Sequence, residues 1–128
     1  MLKNFENLIN KFSCYKNNKK QLNKYVWVVE GVLSELEDKA AEEGLEQTSR
    51  ILASLGDVLT VNNINDLSPE QIELLCSHML FVLNKWENVT REIHLDICKD
   101  LLKHGLTWLP VTDHAQKDIE KARVEYGL

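Results

Sequence analysis

The chain has 128 residues, 44% of them hydrophobic, a net charge of −5, and only five glycines and two prolines. A chain of this length buries roughly two thirds of its unfolded surface in one domain, so residues 1–128 need neither a metal nor a disulfide for stability. So few turn residues argue against a fold of many short strands, and no run of about 18 apolar residues is present to cross a bilayer.

The first segment carries Phe5, Leu8, Ile9 and Phe12 at helical spacing and stops at Lys16-Asn17-Asn18-Lys19-Lys20. A second helix is predicted from about Lys20 to about Glu43, because Tyr25, Val26, Val29, Val32, Leu33, Leu36 and Ala40 fall on one stripe. The stretch Tyr25 to Val29 is locally strand-prone, but alternation does not continue past Gly31 whereas the helical stripe does. Gly44 suits a helix C-cap. Beyond it Leu45, Thr48, Ile51, Leu52, Leu55 and Leu59 define a third helix, closed by the asparagine-rich loop around Asn62 to Asp66.

Ser68-Pro69-Glu70-Gln71 is the sharpest local signal in the chain. The serine oxygen can accept the Gln71 amide while the Gln71 side chain reaches back to the Ser68 amide. Pro69 stands at the first helical position, where a missing N–H costs nothing, and Glu70 complements the helix dipole. The helix so begun runs to about Trp86 and aligns Ile72, Leu75, Cys76, Met79, Val82, Leu83 and Trp86 on one face. The next, about Val89 to His104, carries Ile93, Ile97, Cys98, Leu101, Leu102 and, past the Gly105 that ends or loosens it, Leu106. Their short connection predicts a central antiparallel hairpin. After a loop from Trp108 to Thr112, a last helix is predicted from about His114 to Tyr126. The expected fold is an all-α, single-domain bundle of five to six helices.

Charge is segregated along this order. Residues 1–25 hold six lysines against Glu6, net +5, whereas residues 26–73 hold eleven acids against Lys39 and Arg50, net −9. Such polarity acts on association rather than on folding. Glu35, Asp38, Glu42, Glu43 and Glu46 form the densest acidic stretch and are the expected partner-binding residues. The lysines of residues 1–25 are interleaved with Phe5, Phe12, Tyr15 and Tyr25, but these aromatics lie at packing positions and the chain as a whole is acidic, which opposes nucleic-acid binding.

No catalytic signature is present: the chain has no GxSxG elbow, no Walker or dinucleotide glycine loop and no HExxH. It is not expected to be an enzyme or to hold a cofactor. Cys14, Cys76 and Cys98 lack CxxC spacing. His94 and Cys98 share a face, as zinc ligands can, but Cys98 belongs to an apolar stripe and reads as core, so no metal is expected. With no secretory signal in view, reduced thiols and a cytoplasmic location are expected. His94 projects into an apolar arc with Arg91 at its edge, which marks a possible pocket between the two helices.

These features favour binding over catalysis. The leading expectation is a small acidic inhibitor that occludes a basic protein, in the manner of a bacterial immunity protein against a toxin nuclease, with oligomeric state open. The alternative is a helical ligand-binding or sensor domain with its pocket near His94.

Overall fold

The computed structural model describes residues 2–108 together with 124 and 125. Five helices follow one another: α1 (Leu2–Cys14), α2 (Lys19–Glu42), α3 (Glu46–Val61), α4 (Pro69–Lys85) and α5 (Arg91–Lys103). Single 3₁₀ turns, Ile64–Asp66 and Trp86–Asn88, flank α4. There is no strand among the described residues, so the all-α expectation holds. The helix expected over 114–126 lies largely outside the described residues.

Local chemistry sets each boundary. The Asn18 side chain accepts the Gln21 amide and starts α2. At the other end Gly44 has φ +77°, and the amides of Leu45 and Gly44 return to the carbonyls of Ala40 and Ala41. This is a Schellman closure, in which glycine supplies the left-handed residue at no steric cost. Gly105 (φ +77°) repeats it after α5, with Leu106 bonded back to Leu101 and fully buried. The reciprocal capping box of Ser68 and Gln71 forms at 3.1 and 2.9 Å.

One core joins the helices. Phe5, Ile9 and Phe12 of α1 meet Leu22, Val29, Leu33 and Leu36 of α2, Ile51, Leu52 and Leu55 of α3, and Ile72, Leu75 and Met79 of α4. The most extensive packing is between α2 and α3, which the Gly44 turn folds back on each other; α4 lies against α1 and α3. The structure does not confirm the central hairpin expected of α4 and α5. Their chain direction does reverse, since Gln71 Nε2 donates to the His104 carbonyl (2.9 Å) and His78 Nε2 to Asp100 Oδ2 (2.7 Å). Their backbones are nevertheless not packed along each other, and α5 makes its closer approach to α3. The connecting turn is fastened the same way. The Trp86 carbonyl accepts Thr48 Oγ1 of α3 (2.6 Å) and its indole donates to Glu43 (3.2 Å) at the end of α2. These two bonds anchor the turn to α2 and α3.

Candidate functional site

Two surfaces have the geometry to bind something: the outer face of α2 and the gap between α4 and α5. On α2, Leu22, Val29, Leu33, Leu36 and Ala40 are buried. At about 100° per residue, Lys20, Lys24, Trp27, Gly31, Glu35, Asp38 and Glu42 fall on the opposite side, and all seven are exposed. They form a straight ridge that is basic at its start, carries Trp27 in the middle at 68% exposure, and is acidic at its end.

Gly31 is the informative member of this ridge. A Cβ built there would meet nothing within 4 Å, and its φ is not positive. The fold therefore has no steric need for glycine at this position, where alanine would stabilise the helix by about 1 kcal/mol. A bare stretch of helix backbone beside an exposed tryptophan is a knob next to a hole. The sequence stripe placed Trp27 off the core face, but the vacancy around Gly31 emerges only from three-dimensional surroundings.

The expected partner-binding acids divide into two groups. Glu35, Asp38 and Glu42 stand on the ridge with no ion pair among the described residues. Glu43 is occupied within the fold: it accepts from the Trp86 indole and pairs with Lys39 at 3.1 Å, and these two interactions hold its carboxyl below the usual range. Glu46 pairs with Arg50 at 2.6 Å. The aromatics near the lysines are occupied too. Phe5 and Phe12 are buried, and Tyr15 stacks on Tyr25 at 5.5 Å.

The gap between α4 and α5 is a groove of about 440 Å³. Phe81, 40% exposed, lines it with Ile93 and Ile97, while Ser77, His78, Asp96 and Asp100 supply its polar edge. His78 donates to Asp100 as above, and Lys85 sits 5.9 Å above the Phe81 ring. His94 and Arg91 do not line this groove. His94 is turned toward α3, where its Nδ1–H donates to Gln47 Oε1 at 2.8 Å, and Arg91 is exposed.

Burial, then the positive charges of Arg50 and Arg91, lowers the His94 pKa. A base whose folded pKa is depressed contributes stability above its unfolded pKa and loses it as pH falls through the folded value. Unfolding by urea should therefore show the wild type weakening relative to His94→Gln as pH falls below about 6.5, the ordinary histidine value. Parallel pH profiles for the two proteins would refute this account of His94.

The cysteines do not act as a cluster. Cys76 and Cys98 are buried, and burial pushes their thiols up to about 12 and about 11, far from the thiolate that nucleophiles and metal ligands require. Among the described residues no group of three or more His, Cys, Asp or Glu is placed to hold a metal ion. No helix among them is long and apolar enough to cross a membrane. A smaller cleft between α2 and α3 is edged by Glu30, Glu37 and Asp57, whose carboxyls burial raises. No protein-family model, curated protein or solved structure matches the chain.

Proposed function

We propose that the chain is a protein-binding module that docks through the outer ridge of α2 onto a surface carrying positive charge. The observation that carries this reading is the pairing of exposed Trp27 with the sterically unneeded Gly31, flanked by the exposed acids Glu35, Asp38 and Glu42, which have no ion pair among the described residues. Tryptophan is enriched among the few residues that dominate interface energies, and charged rims steer the approach. Occlusion of a basic protein, such as a toxin nuclease, is what such a ridge performs on a heterologous partner. A photocrosslinking amino acid at position 27, introduced in the native cells, tests it. A discrete protein adduct that disappears when Glu35 and Asp38 are changed to lysine supports the reading; absence of any protein adduct sinks it.

A second reading rests on the groove between α4 and α5. Its volume falls in the range of small-molecule sites, its floor is apolar, and Asp96 and Asp100 stand at its edge. The fitting ligand has an apolar body and a cationic head. In NMR titrations 2-naphthylmethylamine should shift the Ile93 and Ile97 methyl signals, and 2-naphthoate should bind at least about tenfold more weakly. Equal affinity for the two, or no shift at millimolar amine, removes this reading.

A further inference from the structure

The ridge of α2 complements itself. Its basic residues, Lys20 and Lys24, come first; its bulky and vacant positions, Trp27 and Gly31, lie in the middle; its acids, Glu35 and Asp38, come last. Reversing the direction of the ridge therefore exchanges positive for negative and knob for hole. Take two copies of α2 laid antiparallel about a two-fold axis level with Val29. Residues whose numbers lie equally far on either side of 29 then face each other. Trp27 of each copy lies over Gly31 of the other, Lys20 faces Asp38, and Lys24 faces the turn of helix holding Ser34 and Glu35.

Lys20 and Asp38 are 18 residues apart, five full turns, so they project in one direction about 27 Å apart along the helix. That alignment lets both charge pairs form at once. An isologous two-fold contact needs one patch that matches its own rotated image, and this ridge has that property in both shape and charge.

From this we infer that the ridge's partner is a second copy of the chain, joined as an antiparallel α2–α2 homodimer with Trp27 seated on Gly31. The inference rests on the docking role proposed for the ridge and names its occupant. It also accounts for the two features that the fold leaves unexplained. Glycine at 31 admits the indole of the other copy close to the helix backbone, where any Cβ would stand in its way. The segregation of lysines from acids along the chain supplies both halves of one contact, so the positive surface expected of a partner is present in the protein itself. Lys24 additionally lies 5.7 Å from the Tyr25 ring, which leaves Lys20 as the principal cation of the pairing.

A single pair of helices is a small contact beside the roughly 800 Å² per partner of a standard stable interface, so a weak dimer in exchange with monomer at micromolar concentrations is expected. Sedimentation equilibrium of the full chain should show a monomer–dimer exchange over that range. The decisive test is a charge swap. One variant, Lys20→Glu with Lys24→Glu, makes the ridge acidic throughout; the other, Glu35→Lys with Asp38→Lys, makes it basic throughout. All four positions are exposed, so both variants keep the core intact.

Each variant alone should associate at least about tenfold more weakly than the wild type, and an equimolar mixture should form a heterodimer as tight as the wild type or tighter. A third variant, Gly31→Leu, should be monomeric while melting at or above the wild-type temperature, because it adds a good helix former at an open site. Wild-type protein that stays monomeric at 500 µM overturns the inference, as do swap variants that dimerise as well as the wild type. The photocrosslink at position 27 separates the two levels of the argument. An adduct of twice the chain mass supports the homodimer, an adduct with a different protein overturns it but leaves the docking ridge standing, and no adduct removes both.

Discussion

Changing Glu35 and Asp38 together to lysine should slow association through the α2 ridge by about a hundredfold at low ionic strength, with much of that difference lost above about 0.5 M salt. The size of the effect follows from place rather than from net charge. Both carboxylates are exposed on the face that carries Trp27, and neither has an ion pair among the described residues, so their field is not neutralised locally. Glu43 and Glu46, by contrast, are tied to Lys39 and Arg50. A control is available in Glu87 and Glu92, which are exposed outside α2. Their double reversal changes the net charge by the same amount and should alter the rate no more than a few-fold. Stopped-flow association, or relaxation after dilution if the partner is a second copy, reads both variants. Equal slowing by the two pairs would show that overall charge, not the ridge, controls encounter.

Trp86→Ala should produce the largest loss of stability, about 3–5 kcal/mol, read as a fall in the midpoint of urea unfolding. Three contributions act together at this residue. The indole is 8% exposed and its removal leaves a cavity at the end of the core. Its N–H bond to Glu43 is lost. The backbone carbonyl that accepts the buried Thr48 hydroxyl loses its fixed position, and Thr48, 1% exposed, has no water to turn to. The variant should also change the spacing of α4 and α5, because Trp86 fastens the turn that joins these helices to α2 and α3. Methyl signals of Ile93 and Ile97 therefore serve as a second readout. Trp86→Phe should recover most of the packing but not the bond to Glu43. A stability loss below about 1 kcal/mol for the alanine variant would refute the anchoring role.

Much of the architecture is legible without coordinates, for local reasons. The stripes of α1 to α5 repeat every three or four residues, and each buried position in α4, from Ile72 to Leu83, is on the predicted face. Caps are short-range chemistry, which is why Ser68 with Gln71 and the glycine at 44 are readable from neighbours in the chain. The candidate site was legible only in part. Glu35, Asp38 and Glu42 announce themselves by charge, whereas the fates of Glu43 and Glu46 depend on where Trp86 and Arg50 come to lie.

The amino-acid sequence by itself determined the all-helical class, the helix boundaries to within a few residues, the core faces and the separation of positive from negative charge. Each of these depends on interactions spanning a turn or two of helix, or on composition. Only the tertiary structure decided that α2 and α3 form the closest pair, that α4 and α5 stand apart over a groove, that His94 turns toward Gln47, and that the space around Gly31 is left unfilled. These outcomes compare long-range packing alternatives of similar hydrophobicity, where the winner is set by how side chains forty residues apart fit together. No local pattern records that fit.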